Sequence, residues 1–383
     1  MRVEVHDTLA TVSPSLWATV AAEAGLYSSY EWLTLVEQET PGRCRYLVAG
    51  DGVGIVGALP VYLVADEPNQ YYDPRSVFRA AVPGRNGRYC LAGSRSGYNN
   101  EPLLAGWRSE TEQLGAVAAL LDELAVLSEA EGLEHSFLLY LNARGLRRIT
   151  ACSEHAFPLL SYSGDAWLDA PGQSFDDYLA GLTTTRRKTT LKEIRRFAEQ
   201  GLSVARADPR DRLDLIVEFA RRGNAKYGIE TSEAELRTRV ERQCAALGPH
   251  GVLFVCHRGP TVVGMALAYR WEDRLYLRMS GFDHDAVSAY PYFNVVIYEP
   301  LRYCYETGLQ GLHLGTGSHH AKAARGARIG PLGSVALPSS GAVGTDPAAP
   351  TARAGVRRYW EQQFASMPHL LDKDLWRPWL SSR

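Results

Sequence analysis

Paired cysteines, long apolar runs and net charge are all scarce in this sequence. Its six cysteines lie far apart and form no CxxC pair, which argues against a disulfide framework and a zinc site and favours a reducing compartment. No run approaches the roughly 18 consecutive apolar residues that a transmembrane helix needs. The formal net charge of −2 provides no general attraction for nucleic acids or membranes, so such a role would require a local patch.

The first residues, MRVEVHDTLATV, also lack the apolar stretch of a secretory signal. We therefore expect a cytoplasmic protein with no membrane span, no bound metal and no covalently bound cofactor. The sequence leaves the oligomeric state open.

The length and composition favour two α/β domains. The chain has 383 residues, of which 45% are hydrophobic and 22% are charged, as is typical of a globular protein with a sizeable core. Helical and strand patterns alternate along it, which predicts a mixed sheet with helices on both sides. We expect a first domain over residues 1–164 and a second over 165–345. A tail over 346–383 should pack on the body, because its many aromatic side chains would not be left in water.

The same hairpin pattern occurs once in each half of the chain. The first copy is YLVAGDGVGIVGALPVYLV and the second is GVLFVCHRGPTVVGMALAYRW. In both, a glycine-containing turn joins two apolar strands, and a Val-Gly pair lies early in the second strand. This repetition suggests that the two domains arose by duplication.

The segment from Tyr290 to Leu332 carries the strongest indication of a functional site. Apolar residues at helical spacing predict a helix, which Pro300 should kink and Gly308 should end. Residues 309–314 then predict a strand that ends in Gly-Thr-Gly. The loop that follows is rich in imidazole and cationic groups: His319, His320, Lys322, Arg325 and Arg328. Open α/β folds bind ligands in such loops, at the carboxyl ends of strands.

Four segments resemble tandem GNAT-fold acyltransferases of the FemAB/FemX-like group, which is related to the peptidoglycan aminoacyltransferases. They are SFDDYLAGLTTTRRKTTLKEIRRF, GVLFVCHRGPTVVGMALAY, the stretch from LYLRMSGFDHD to GLHLG, and HHAKAARG. The resemblance covers residues 165–335 and extends to the first half by architecture. It implies two tandem GNAT-like domains with a substrate cleft between them. One family feature is missing, because no Gln/Arg-x-x-Gly-x-Gly/Ala loop, which would cradle the pyrophosphate of coenzyme A, precedes the helix at Phe293.

The resemblance implies an N-acyltransferase that forms an amide bond on a small amine or amino-acid-type acceptor. The acyl donor is either an aminoacyl-tRNA or an acyl-coenzyme A, and a third alternative is a binding module without catalysis. The missing pyrophosphate loop and a basic helix favour tRNA. The sequence does not distinguish a cell-wall precursor from a specialised metabolite as the acceptor.

Amide formation requires a base for the amine and donors that polarise the carbonyl group. Our candidates for catalysis are His319, Tyr227 and Asn294. Our candidates for substrate or donor binding are Lys322, Arg325, Tyr292, Tyr98 and Asn99. Each residue type also has a purely structural use: tyrosine packs, asparagine caps helices or forms turns, and loop histidines often lie on the surface.

A basic run, TTRRKTTLKEIRR, opens the helix that leads into the second domain. Arg186, Arg187 and Lys188 begin it, and Lys192, Arg195 and Arg196 continue it. Leu191, Ile194 and Ala198 predict the apolar face of this helix, which leaves the cations mainly in water. The helix is either an ordinary solvated face or a binding surface for the phosphates of a tRNA acceptor arm or a nucleotide cofactor.

Overall fold

The structure of the protein is a computed structural model that describes residues 1–40, 43–67, 69–78, 88–133, 135–226, 228, 231–283, 291–338, 349–366 and 376. The chain divides into two compact units. The first comprises Met1–Asp165 with Gly330–Arg383, and the second comprises Ala166–Ile329.

The elements before the second unit alternate between helices and strands. In chain order they are β1 (Arg2–His6), α1 (Pro14–Ala21), α2 (Tyr30–Glu39), β2 (Arg43–Gly50), β3 (Ile55–Ala65), α3 (Pro74–Phe78), β4 (Arg88–Ala92), β5 (Leu103–Leu104), α4 (Glu110–Ala130), β6 (His135–Leu141), α5 (Ala143–Cys152) and β7 (Phe157–Asp169). Of these elements, β2 and β3 form the hairpin that the sequence predicts. β4 lies in a glycine-rich segment for which no strand is predicted above.

The first unit is built on a sheet with β3 near its middle. β1, β2, β3 and β4 pair antiparallel in that order, and β4 then pairs parallel with β6. The helix α4 begins at a capping box, in which the side chains and backbones of Ser109 and Glu112 exchange hydrogen bonds. Its apolar face, with Leu120 and Leu124, is buried in one core cluster with Leu47 and Leu138 of the sheet.

The remaining elements follow in the second unit and beyond it. They are α6 (Phe175–Gly181), α7 (Thr184–Glu199), β8 (Leu202–Ala207), α8 (Leu213–Lys226), α9 (Glu233–Leu247), β9 (Gly251–Arg258), β10 (Thr261–Trp271), β11 (Arg274–Phe282), α10 (Pro291–Phe293), a π-helix (Asn294–Tyr298), α11 (Glu299–Thr307), β12 (Gly311–Gly315), α12 (His319–Ala323), β13 (Arg328–Pro338) and α13 (Ala349–Ser366).

The sheet of the second unit has the strand order β7-β12-β11-β10-β9-β8. β8, β9, β10 and β11 pair antiparallel, β11 and β12 pair parallel, and β12 pairs antiparallel with Ala166–Asp169 of β7. Apart from α3 and β5, and with α6 and α7 between the two copies, the chain therefore runs twice through the same order: a strand, two helices, three antiparallel strands, a helix, a parallel strand, a helix and a last strand. The α/β class and the tandem arrangement are confirmed.

The division of the chain after the second unit differs from our expectation. The second unit ends at Ile329 rather than near residue 345, because β13 pairs antiparallel with β6 from Gly333 onward and so belongs to the first unit. In the tail, Trp360 and Trp376 are fully buried, with ring centroids 4.1 Å apart. The indole N–H of Trp360 donates to the carbonyl of Ser161 over 2.7 Å. The described part of the tail therefore packs into the first unit.

The helix around Pro300 is interrupted by a π-helix. Pro300 has no N–H to donate to the preceding turn, and the turn before it widens into the π-helix between α10 and α11. Gly308 ends α11 in a left-handed conformation with φ 74°, as its position in the sequence predicts. Among the described helices, none combines the length and apolarity that crossing a membrane requires.

Candidate functional site

The second unit contains an opening between two parallel strands. β11 and β12 pair only over Arg274–Tyr276 and Gly311–His313. Both strands continue, β11 to Phe282 and β12 to Gly315, but no pairing joins these later residues, all of which are described. We call this opening the β11–β12 wedge. It leaves an edge of β11 that β12 does not cover, and an exposed strand edge can bind an extended ligand through its backbone.

The corresponding position in the first unit is filled by its own chain. There the parallel strands are β4 and β6, and Asn100 lies where their pairing ends. Its N–H donates to the carbonyl of Tyr140, and its own carbonyl accepts from the N–H of Asn142, both over 2.9 Å. The side-chain amide of Asn100 donates to the carbonyl of Leu139 over 2.7 Å. The wedge of the second unit is therefore the better candidate for a donor site.

A β-bulge lies in β11 beside the wedge. Leu267 of β10 pairs with Met279, whereas the next residue, Ala268, pairs with Leu277. Arg278 is thus the extra residue, and bulges of this kind redirect side chains next to functional sites. Residues 277–280 are partly exposed, although they belong to an inner strand of the sheet. The partial exposure agrees with the gap left by β12.

Aromatic side chains cross the sheet where the wedge begins. Tyr269, Tyr276, His313 and Trp167 occupy one register on β10, β11, β12 and β7. The ring of His313 lies 4.4 Å from the indole of Trp167 and 5.1 Å from the phenol of Tyr276, measured between centroids. His313 is fully buried. The last paired residues before the wedge therefore include a titratable side chain between two aromatic rings.

The helix α8 crosses the far end of β11 at very short range. A Cβ atom added to Gly281 would lie 1.7 Å from the carbonyl oxygen of Phe219, and one added to Gly223 would lie 2.4 Å from that of Ser280. Any side chain at either position would push the helix away. These two glycines therefore place α8 directly against the uncovered part of β11.

Lys322 lies in α12 and holds the loop that follows β12. It is 3% exposed, and its Nζ donates to the carbonyl oxygens of Leu314 at 2.7 Å, Gly315 at 3.0 Å and Thr316 at 2.9 Å. An ammonium group has three N–H donors, which is enough for these three contacts. The structure thus gives Lys322 a bracing position at the end of β12, next to the wedge.

Arg325 lies in a buried ionic network with α7 and the π-helix. Its guanidinium forms an ion pair with Glu193, and its Nε donates to the hydroxyl of Tyr298 over 3.0 Å. The hydroxyl of Tyr298 in turn donates to Glu193. The guanidinium also lies 3.1 Å from the ring centroid of Phe293. Burial raises the pKa of Tyr298, so its phenol stays protonated and acts as a donor.

The other candidates near this loop lie in different environments. His319 is 9% exposed and begins α12. Asn294 is buried in the π-helix, and its side-chain amide lies 3.5 Å from the carbonyl of Glu193. Tyr292 is partly exposed and contacts the rings of Phe282 and Phe293. Tyr227 lies outside the described residues.

The helix α7 buries a different face from the one we predicted. Its buried residues are Thr190, Glu193 and Phe197, whereas Leu191 is 47% exposed. The prediction of an apolar face on Leu191, Ile194 and Ala198 was wrong because the ion pair with Arg325 draws Glu193 inward. Lys188, Lys192, Arg195 and Arg196 are exposed, and Arg186 and Arg187 are partly so. Burial lowers the pKa of Arg186.

Tyr98 and Asn99 lie in the first unit. Tyr98 is partly exposed and contacts the ring of Tyr140 at 5.1 Å between centroids. Asn99 has a left-handed backbone, with φ 67°, which asparagine tolerates in turns. The structure therefore brings Lys322, Arg325, His319, Asn294 and Tyr292 into one unit but leaves Tyr98 and Asn99 in the other.

Sequence reasoning missed the side chains that border the wedge. Arg278, Tyr269 and His313 carried no motif, and only the register of the strands places them together. Glu193 was also missed, since an acid within a basic run indicates a surface pair rather than a buried one. In the described part of the chain, no group of at least three His, Cys, Asp or Glu side chains could hold a metal ion.

Comparisons with known proteins agree with this architecture. The sequence model of the acetyltransferase (GNAT) domain family matches residues 184–323. The chain resembles the crystal structure of FemX at 12% identity and a TM-score of 0.59, over 88% of this chain and 97% of that one. It also resembles a tandem GNAT protein from the clavulanic acid biosynthesis pathway at 11% identity and a TM-score of 0.53, over 89% and 100% of the two chains.

A further similar structure is the C-terminal domain of a putative lysylphosphatidylglycerol synthetase from Agrobacterium fabrum. Its identity is 10% and its TM-score 0.53, over 94% of this chain and 97% of that one. A comparison with curated proteins found no match. At such identities the structural likeness establishes the fold, while the family match establishes the domain. Residues 184–323 thus match the acetyltransferase (GNAT) domain family, and the chain has the fold of FemX and of tandem GNAT proteins.

Proposed function

We propose that this protein transfers an aminoacyl group from aminoacyl-tRNA to the amine of a small or amino-acid-type acceptor. The observation that carries the proposal is the β11–β12 wedge, where the parallel strands separate after Tyr276 and His313. The backbone edge of β11 offers N–H and C=O groups to a donor lying along it. A fold without a covalent nucleophile can catalyse acyl transfer by orienting the two substrates and polarising the carbonyl.

In the proposed reaction the acceptor nitrogen attacks the ester carbon of the donor. A C–N bond forms, the bond from that carbon to the ribose oxygen breaks, and the proton lost by the amine ends on the departing hydroxyl group. His319 is our candidate for the base that moves this proton, since histidine titrates near neutral pH. Asn294 and Tyr227 remain candidates for the same step, and Tyr292 for contact with a substrate.

The exposed cations of α7 favour tRNA as the donor. Lys188 and Lys192 lie one helical turn apart and are exposed, as is Arg195, while Arg187 is partly exposed. This spacing suits contacts with successive phosphates. Lys322 and Arg325, our sequence candidates for donor binding, have internal partners, so we propose that they act by shaping the loop after β12. In the first unit, Tyr98 and Asn99 stay candidates for contact with a substrate.

The test is transfer of a labelled amino acid from charged tRNA to a panel of small amines. We expect amide formation that ribonuclease treatment of the donor abolishes. Transfer that persists after ribonuclease treatment would contradict the tRNA donor. His319→Gln should lower kcat at neutral pH while leaving the melting temperature within a few degrees of the wild type.

The second candidate donor is an acyl-coenzyme A, which the match to an acetyltransferase domain favours. A thioester placed along β11 would undergo the same attack, with the thiol as leaving group. Coenzyme A at ~100 times its dissociation constant should then stabilise the fold by about 2.7 kcal/mol. A thermal shift with coenzyme A but none with tRNA would make acyl-coenzyme A the favoured donor in place of aminoacyl-tRNA.

A further inference from the structure

An exposed tryptophan is held in a fixed position on the surface of the first unit. Trp107 is 61% exposed, whereas Trp17 of the same unit is fully buried. The guanidinium of Arg108 lies 4.1 Å from the ring centroid of Trp107. That guanidinium is itself fixed by ion pairs with Asp51 and Glu112, both at 2.8 Å. The indole is therefore held in place while most of its surface faces solvent, which reduces the entropy that it would lose on binding a partner.

The tip of the β2–β3 hairpin and the turn after α1 lie beside this tryptophan. Val53, at the tip of the hairpin, is 78% exposed, and its N–H donates to the carboxylate of Asp51 over 3.1 Å. In the turn, a carboxylate oxygen of Glu23 would lie 2.7 Å from a Cβ atom added to Gly106, the residue before Trp107. An exposed apolar tip and a carboxylate therefore border the exposed ring.

A small cavity lies next to the same turn and contains two arginines. Its lining includes Glu23, Gly106, Gln113, Arg144 and Arg148. Gln113 joins the cavity to the Trp107 segment, because its side chain accepts from Arg148 over 2.8 Å and donates to the carbonyl of Arg108 over 3.1 Å. The cavity volume is about 10 Å³, far below the ~300–1,000 Å³ of small-molecule sites. The cavity therefore suits the tip of a partner's side chain rather than a whole ligand.

The ion pair between Glu23 and Arg144 lies at the mouth of this cavity. Arg144 donates to Glu23 over 2.8 Å, and their side chains are 39% and 62% exposed, respectively. An ion pair as exposed as this one contributes little to the stability of a single chain. Replacing it by the same pair between two chains therefore costs little.

The charges of this surface restrict the class of partner. Positive and negative side chains pair with one another across it: Arg108 with Asp51 and Glu112, and Arg144 with Glu23 and Glu101. Nucleic acids and anionic membranes bind surfaces on which positive charge predominates. The carboxylates in these pairs outnumber the arginines, which disfavours both partners. A surface that carries both signs around an apolar centre is instead complementary to itself when it is rotated about a twofold axis.

We propose that a second copy of this chain binds the surface formed by Glu23, Val53, Trp107 and Arg144, which we call the Trp107 surface. Two copies pack their exposed indoles and hairpin tips together about a twofold axis. Glu23 of each copy then pairs with Arg144 of the other. Tryptophan and arginine are the residue types that contribute most to protein interfaces. The Trp107 surface belongs to the first unit, so this interaction is independent of the acyl transfer proposed for the second.

The experiment measures the mass of the full chain by sedimentation velocity from ~1 to ~100 µM, a range that resolves micromolar dimer dissociation constants. We expect the wild type to change from one chain to two over this range. Trp107→Ala should raise the dissociation constant by about 100-fold, because a central residue contributes about tenfold and a twofold interface contains it twice. A wild type that stays at the mass of one chain, or a Trp107→Ala variant that associates like the wild type, would overturn the proposal.

Two further variants test the surface without disturbing the fold. Val53→Glu changes a side chain that is 78% exposed and places carboxylates of both copies together, so it should keep the protein as a single chain. Glu23→Arg should also weaken association, because it places like charges opposite Arg144 in both halves of the interface. Both variants and Trp107→Ala should melt within a few degrees of the wild type, since all three side chains are mostly exposed.

The controls remove exposed apolar side chains elsewhere. Val126 is 60% exposed and lies about 24 Å along α4 from Glu110, and Leu191 belongs to the second unit. Val126→Ala and Leu191→Ala should each associate like the wild type. Equal losses of association in these controls and in Trp107→Ala would indicate general apolar adhesion and overturn the proposal.

Discussion

Lys322 and Arg325 are cations three residues apart, and both lie inside the fold. Either would bind phosphate if its side chain reached solvent, and sequence alone favours that use. The structure instead directs Lys322 to backbone carbonyls and Arg325 to a carboxylate. Buried charges require such partners, because losing water costs several kcal/mol for each ion. At the residue scale, Lys322 and Arg325 therefore stabilise the loop after β12 through internal contacts.

Replacing Lys322 by methionine should destabilise the second unit. The change keeps the aliphatic length but leaves the carbonyls of Leu314, Gly315 and Thr316 without the ammonium group, at a cost of about 2 kcal/mol or more. Denaturant unfolding measures the loss, and His320→Ala, at an exposed neighbouring position, serves as the control. Unchanged stability combined with weaker donor binding would instead support a direct role in binding the donor.

Replacing Glu193 by alanine should lower the free energy of unfolding more than replacing both members of the ion pair does. The single change leaves the guanidinium of Arg325 buried without its carboxylate, which costs ~3–5 kcal/mol. Replacing both Glu193 and Arg325 by methionine should recover much of that stability. A double-mutant cycle in urea measures the coupling. A coupling energy near zero would contradict the network described above.

At the scale of elements, α7 joins two different surfaces. Its inner face carries Thr190, Glu193 and Phe197, and its outer face carries exposed cations. The inner face holds the helix against Arg325 and Tyr298, so the outer face has a fixed orientation. A rigid basic surface loses less conformational entropy on binding a polyanion than a disordered basic tail would.

Removing the charges of Lys188 and Lys192 should weaken tRNA binding without affecting the fold. If each lysine contacts a phosphate, the slope of log affinity against log salt should fall by about two units in magnitude when both become glutamine. Filter binding over a range of salt concentrations measures this slope. Arg221→Gln with Arg258→Gln removes two other exposed charges of the same unit and provides a matched control. Equal losses in both pairs would indicate a general charge effect rather than a site on α7.

The crossing of α8 over β11 should tolerate no side chain at Gly281. Alanine there would place Cβ 1.7 Å from the carbonyl oxygen of Phe219, so the helix must move, at a cost of ~3 kcal/mol or more. Gly115→Ala, within α4 and with no atom near the added Cβ, should instead stabilise the protein by ~0.5–1 kcal/mol. Melting temperatures that shift in the same direction for both variants would contradict the close crossing.

At the scale of the whole molecule, the chain repeats one order of elements but differs between the copies. In the first unit Asn100 fills the end of the parallel pair, whereas in the second the pair stays open. Function depends on the site that a fold carries rather than on the fold itself. The difference between the units therefore accounts for the placement of the proposed donor in the second.

The tail should contribute strongly to the stability of the first unit. Trp360 is fully buried against Trp376 and Ser161, so its replacement by alanine should cost ~3–5 kcal/mol. Tryptophan fluorescence during denaturation measures the effect. Arg357→Ala, which removes a partly exposed residue paired with Glu361 on the same helix, should change stability by less than about 1 kcal/mol.

The sequence determined the class of fold and the main features of the second unit. The hairpins at Asp51 and Gly259 and the helix stop at Gly308 all occur as predicted. These features depend on local backbone preferences and apolar periodicity, which a sequence carries directly. The resemblance to tandem GNAT proteins depended on the same local patterns, and both the family match and the fold support it.

Only the tertiary structure decided which polar side chains are buried and which strands separate. Nothing near Glu193 in sequence indicates Arg325, which lies 132 residues away, so its burial could not be read from the basic run. The wedge and the positions of Tyr269, Arg278 and His313 depend on strand register, which local patterns do not determine for strands distant in the chain. Local propensities therefore predicted the elements, while long-range pairing determined the site.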